Sequence, residues 1–152
     1  MLEFLLGECA MKRIALAAVI TAAGIAGVVA QVDVIKTRQG LMKENDTGGK
    51  LLSQMARGRV PFDAAKVDAA MAQFAETAAK LPDLFPDNSK AGDTKASSKV
   101  WQTRADFDAK IADFTKVVAE NRPNVNTLDG VKTALPTIAK ACDNCHDTYR
   151  LK

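Results

Sequence analysis

The sequence predicts an all-α fold, an antiparallel up-and-down four-helix bundle, and three features of the chain support this. Alanine is abundant, and apolar residues recur with the period of a helix. Runs of β-branched or aromatic residues with a period of two do not occur. Glycine and proline separate four helical segments with mostly short links, which favours antiparallel neighbours.

The first predicted helix covers about residues 32–57 and the second about residues 63–81. Gly48 and Gly49 interrupt the first helix. Each glycine costs about 1 kcal/mol relative to alanine in a helix interior, so we expect a kink or a loosened turn there. Pro82 ends the second helix, because proline cannot continue the backbone hydrogen bonds.

A long polar connection over about residues 82–99 leads to the third predicted helix, about residues 99–121. We expect Leu84 and Phe85 in this connection to pack back onto the bundle. Apolar residues at spacings of four, three and four form the core stripe of the third helix: Phe107, Ile111, Phe114 and Val118. The fourth helix covers about residues 126–150, with Asn126 as its expected N-cap.

The fourth helix contains Cys142, Cys145 and His146 in the pattern C-x-x-C-H, the attachment signature of a c-type haem. Two thiols add across the two vinyl groups of one porphyrin, so they must lie a few ångströms apart. On a helix, positions i, i+3 and i+4 share one face. The pattern therefore predicts one covalently bound haem c with His146 as an iron ligand.

Two other interpretations of the cysteine pair remain open. A thioredoxin-like redox pair normally opens a helix after a strand, and the sequence shows no strand pattern here. A structural zinc site needs four ligands, and only Cys9 exists besides the three residues of the motif.

Residues 1–30 read as a secretory signal peptide. Lys12 and Arg13 precede an apolar run over residues 14–29, and small residues before Ala30 offer a cleavage site. The alternative is a membrane anchor, but the run is short for a bilayer span and its alanine and glycine make it weakly hydrophobic. We therefore expect cleavage, and no stable membrane anchor afterwards.

The second methionine, Met11, stands where a signal peptide should begin, so residues 1–10 are interpreted as a misassigned start. Cleavage after Ala30 leaves 152 − 30 = 122 residues, a single domain over residues 31–152. The formal charge of +3 is too mild to indicate nucleic-acid binding. Both remaining cysteines are used by the haem, so no disulfide is expected.

A second axial ligand to the iron cannot be imidazole, because His146 is the only histidine. After cleavage the candidates are Met42, Met55 and Met71, and each also suits the role of a flexible core filler. In an antiparallel bundle the start of the first helix lies near the end of the fourth, so Met42 can reach the level of the iron. Arg38, one turn earlier, can then bind a haem propionate or remain a solvated surface charge.

Two segments resemble the class II cytochromes c, the cytochrome c′ group. They are Ala141–Arg150 around the haem motif and Arg38–Lys43 in the first helix, and the likeness covers residues 31–152. A haem motif near the C-terminus is specific, since class I cytochromes carry theirs near the N-terminus. The resemblance implies a left-twisted four-helix bundle with one haem, often paired into a homodimer through the first two helices.

The resemblance also implies roles for individual residues. Cys142 and Cys145 would bind the haem, His146 would be the proximal ligand, Arg38 and Gln39 would lie near the propionates, and Met42 would fall at the distal position. Low-spin members of the cytochrome c-556 type place methionine there, whereas some five-coordinate members also carry it without bonding iron. Three further segments are similar to the low-spin branch: Pro61–Asp63, Leu81–Pro86 and Lys99–Trp101.

These observations predict a periplasmic electron carrier that exchanges electrons with redox partner proteins. The alternative is a five-coordinate haem protein that binds nitric oxide or carbon monoxide in an apolar distal pocket. No catalytic residues are predicted, because the sequence offers no distal histidine and no acid–base pair placed beside the haem.

Overall fold

The computed structural model of the chain describes residues 33–152, and the predicted signal peptide lies outside them. In this part of the chain, four long α-helices and one short α-helix follow one another in the order α1 (33–56), α2 (Ala64–Lys80), α3 (Lys99–Gln102), α4 (Arg104–Asn121) and α5 (Leu128–Tyr149). The predicted all-α four-helix bundle is confirmed. Residues 33–152 contain no strand, only an isolated antiparallel bridge between Ala96 and Arg150.

Helix α1 continues without interruption through Gly48 and Gly49, so the predicted loosened turn is wrong. Packing against α2 explains why glycine occurs here. A Cβ on Gly48 would lie 3.2 Å from the Cβ of Ala70 and 3.3 Å from the Phe74 ring. The missing side chain therefore lets α1 and α2 approach closely, and their packing outweighs the low helix propensity of glycine.

Local capping fixes where α2 and α5 begin. The Asp63 side chain accepts a hydrogen bond from the Lys66 amide and caps α2. The cap of α5 is Thr127, whose hydroxyl accepts from the Gly130 amide at 3.1 Å, so the predicted cap at Asn126 is wrong by one residue.

The predicted third helix is divided at Thr103 into α3 and α4. Thr103 has φ −123° and ψ 51°, outside the helical region. Its hydroxyl lies 3.0 Å from both the Lys99 carbonyl and the Tyr149 hydroxyl, and its single proton can be donated to either of them. These side-chain bonds compete with the helical ladder, which accounts for the break.

Two buried apolar clusters fill the bundle. The first cluster joins all four long helices: Leu52, Met55, Val67, Ala70, Met71, Phe74, Ala78, Phe114, Val118, Val125, Val131, Ala134, Ile138 and Ala141. The second cluster lies where the α2–α3 connection meets α4 and the end of α5: Leu81, Phe85, Val100, Phe107, Ile111 and Tyr149.

The α2–α3 connection, residues 81–98, packs closely against the bundle. It contains two short 3₁₀ turns, Leu81–Leu84 and Asp87–Ser89. As predicted, it packs back onto the helices, because Phe85 is buried and Leu84 is partly buried in the second cluster. None of the helices in residues 33–152 has both the length and the apolar character of a membrane span.

Candidate haem-binding site

Helix α5 carries all three groups of the C-x-x-C-H motif. Cys142, Cys145 and His146 lie in its last two turns, and each is half-buried. The two cysteines form no disulfide with each other. One rigid element therefore sets the spacing of two thiols and an imidazole along one face.

The surroundings of the two thiols fit a haem. Cys142 packs against the first cluster and Cys145 against the second, so the thiols meet both apolar parts of the core. A porphyrin needs mainly apolar surroundings, two thiols at this spacing and an iron ligand beside them. This site has all three features, with His146 as the ligand, and its residues therefore fit a covalently bound haem.

The electrostatic environment of the thiols does not suit a thioredoxin-type redox pair. Burial raises the pKa of both thiols, with a further contribution from Asp143 at Cys142 and from Cys142 at Cys145. A redox pair of that type needs a lowered pKa and usually lies at a helix N-terminus. Here the thiols lie near the C-terminus of α5, where the helix dipole disfavours a thiolate.

The surroundings of His146 favour its neutral form, which is the form that binds iron. Burial lowers the pKa of His146, and the positive charge of Arg150 lowers it further, which together outweigh the opposite effect of the Asp143 and Asp147 carboxylates. A neutral imidazole presents a lone pair to a metal, whereas a protonated one does not.

Met42 differs from the other two methionines of residues 33–152 in its packing. It is half-buried and packs against the second cluster, as Cys145 does. Met55 and Met71 are 1% and 0% exposed and lie inside the first cluster. The structure therefore brings Met42 to the same cluster as the residue next to His146.

Arg38 and Gln39 both contact the α2–α3 connection. Arg38 is only 5% exposed, so its interpretation as a solvated surface charge is wrong. Its guanidinium donates to the Leu84 carbonyl at 3.1 Å and to the Ser89 hydroxyl at 3.2 Å. Gln39 is exposed, and its amide donates to the Asp93 carbonyl at 2.8 Å.

A hydrogen-bond network around Tyr149 was not predicted from the sequence. Its hydroxyl donates to the Asp106 carboxylate at 2.5 Å and pairs with the Thr103 hydroxyl at 3.0 Å. Asp106 and Thr103 are 43 and 46 residues away from Tyr149 in the chain, so a local sequence pattern cannot predict these hydrogen bonds. The network joins the end of α5 to the break between α3 and α4.

Comparison with known proteins agrees with this site. The sequence model of a family described as cytochrome C′ matches residues 33–150. Cytochrome c-556 of Rhodopseudomonas palustris is 45% identical over 130 residues, which cover 82% of this chain and 87% of that protein. Cytochrome c′ of the same organism is 33% identical over 141 residues, which cover 92% of this chain and 97% of that protein.

The fold is shared as well. An NMR-validated structural model of oxidized Rhodopseudomonas palustris cytochrome c556 matches with a TM-score of 0.72 and 42% identity, over 79% of this chain and 97% of that one. Motif, fold and similarity lead to one conclusion. The chain belongs to the cytochrome c′ family and carries one covalently bound haem c, and its C-x-x-C-H motif lies near the C-terminus.

Proposed function

We propose that this cytochrome is a periplasmic electron carrier whose haem iron is bound by His146 and Met42. The observation that carries the proposal is the position of Met42, which packs against the same cluster as Cys145 while Met55 and Met71 are buried elsewhere. The greater identity to cytochrome c-556 than to the cytochrome c′ sequence supports the same branch of the family. The periplasmic location rests on the predicted signal peptide.

The side chains of the site suit electron transfer. When bound, the haem supplies a one-electron redox couple. His146 offers a neutral imidazole, because its burial disfavours protonation. Met42 offers a thioether, which raises the reduction potential relative to a second imidazole. With both ligands in place, no coordination position remains for a substrate or a gas.

The surface of the protein offers charges for recognition. Lys140, Arg150 and Lys152 are exposed on and beyond the haem-bearing helix. We expect them to attract an acidic redox partner and to make the encounter sensitive to salt. Arg38 and Gln39 are proposed to lie on the propionate side of the haem, and a homodimer is the proposed assembly, both by analogy with the family.

An optical spectrum of the ferric protein tests the proposal. We expect a low-spin Soret band and the near-infrared charge-transfer band of a thioether bound to iron. Replacement Met42→Ala should remove that band, whereas the control Met55→Leu should keep it, since Met55 lies in the first cluster. A high-spin spectrum in the unmodified protein would contradict the ligation by Met42.

Carbon monoxide binding to the reduced protein separates the proposal from gas binding. If Met42 holds the iron, the unmodified protein should react slowly or not at all, and Met42→Ala should react rapidly. Rapid binding by the unmodified protein would instead favour an open distal site.

A further inference from the structure

Arg38 connects α1 to the α2–α3 connection through four hydrogen bonds. Besides the bonds to Leu84 and the Ser89 hydroxyl, it donates to the Ser89 carbonyl at 3.4 Å and to the Thr94 hydroxyl at 3.3 Å. The guanidinium also lies over the Phe85 ring, 4.5 Å from its centroid. A buried cation with this many partners in one segment fixes that segment firmly.

The same connection is bonded to the end of α5. The Ser97 amide donates to the Tyr149 carbonyl, and the Leu151 amide donates to the Lys95 carbonyl, both at 2.8 Å. This short pairing directly follows the turn that contains His146, whose carbonyl accepts from the Arg150 amide at 3.0 Å. The last turn of α5 is therefore held by residues 95–97.

Thr94 links these two sets of bonds. Its hydroxyl accepts from Arg38 at 3.3 Å and from the Ala96 amide at 3.1 Å. Ser89, the other hydroxyl partner of Arg38, is fully buried and also donates to the Pro86 carbonyl at 2.8 Å. An unbroken chain of bonds thus runs from α1, through residues 89–97, to the turn of His146.

We propose that Arg38, Ser89 and Thr94 form a clamp that positions the helix carrying Met42 relative to the turn carrying His146. In this role Arg38 is a positioning residue that acts through the connection. The functional consequence rests on the proposed ligation by Met42: the clamp keeps the thioether within bonding distance of the iron. Loosening the clamp weakens that bond and opens the distal position.

The test removes the acceptors of Arg38 and leaves Arg38 itself in place. The variant Ser89→Ala/Thr94→Val removes both hydroxyls, valine keeping the shape of threonine and alanine lacking only the serine oxygen. In the haem-loaded protein we expect a weaker thioether band and carbon monoxide association that is faster by about tenfold. Hydrogen exchange at the Ser97 and Leu151 amides should also accelerate by about tenfold, because their pairing opens more often.

Two control variants match this test. Thr133→Val removes an exposed threonine hydroxyl near the start of α5, and Arg122→Gln removes an exposed arginine that pairs with Asp68. Both should leave the spectrum and the two exchange rates unchanged. Arg38→Gln should reproduce the effect of the double variant.

The outcomes are distinct. If Arg38→Gln alters the thioether band and the double variant does not, Arg38 acts by another route, such as a propionate contact, and the clamp is refuted. If the unmodified protein lacks the band, the proposed ligation fails. In that case only the hydrogen-exchange rates test the clamp. Unchanged rates at the Ser97 and Leu151 amides in the double variant would refute the proposal.

Discussion

Replacing Tyr149 with phenylalanine tests whether the hydroxyl network stabilises the haem-bearing end of α5. The Tyr149 side chain is 3% exposed, and its ring meets the Phe107 ring edge-on with centroids 5.1 Å apart. Phenylalanine keeps that ring contact and removes only the hydroxyl. The change therefore isolates the bonds to Asp106 and Thr103.

The expected loss of stability follows from the two partners. A hydrogen bond to a charged group contributes about 1.5–3 kcal/mol, and one between neutral groups contributes about 0.5–1.5 kcal/mol. Asp106 is exposed, so water can replace the lost donor and the lower part of the range applies. We expect Tyr149→Phe to lower the free energy of unfolding by about 2 kcal/mol.

Urea unfolding of the haem-loaded protein, followed by far-ultraviolet circular dichroism, measures this loss. The midpoint should fall while the slope stays constant, because the surface exposed on unfolding is the same. The companion variant Thr103→Val should cost less, and the double variant should cost less than the sum, since both changes remove one shared bond. A loss below about 0.5 kcal/mol for Tyr149→Phe would refute the reasoning, because surface substitutions commonly produce as much.

Three further predictions concern other parts of the molecule. Burial and the hydrogen bond to Asp106 raise the pKa of Tyr149, so its contribution to stability is full below its ordinary pKa of about 10 and is lost as pH rises through the raised value. Tyr149 is the only tyrosine, so a single ¹³Cζ NMR signal reports its titration. A titration midpoint at the ordinary pKa of tyrosine would contradict the prediction. Gly49→Ala should stabilise α1 by about 0.5–1 kcal/mol in urea unfolding. Gly48→Ala should gain less or lose stability, because an added Cβ meets neighbouring atoms within 4 Å at Gly48 but not at Gly49. Lys140→Glu should slow electron transfer to an acidic partner at low salt and have little effect at high salt, because salt screens the interaction between the charges. Stopped-flow kinetics measures the rate, and an equal effect at both salt concentrations would exclude an electrostatic role of Lys140.

The main parts of the fold could be predicted because they depend on local patterns. The helix of the haem motif follows from an apolar stripe and from the spacing of Cys142, Cys145 and His146. The break at Thr103 could not be predicted, since it depends on a bond to Tyr149, 46 residues away. Local propensity alone favours one continuous helix there.

The site shows the same division. The position of Met42 near the end of α5 could be predicted from the antiparallel topology, because the order of the helices determines which helix ends are neighbours. The burial of Arg38 was not predictable, since two of its four bonds go to backbone carbonyls, which every residue has. Ser89 and Thr94 lie in a polar connection where the sequence gives no sign of a buried partner.

The contacts that hold the last turn of α5 have a consequence for the order of folding. The end of α5 bonds to Lys95 and Ser97. That connection is joined in turn to α1 by the bonds from Arg38 to Ser89 and Thr94, which span 51 and 56 residues of the chain. Closing such long loops costs chain entropy, so we expect these contacts to form after the local helices. Late docking of the end of α5 would leave the thiols of Cys142 and Cys145 accessible in the partly folded chain, which suits their proposed reaction with the haem.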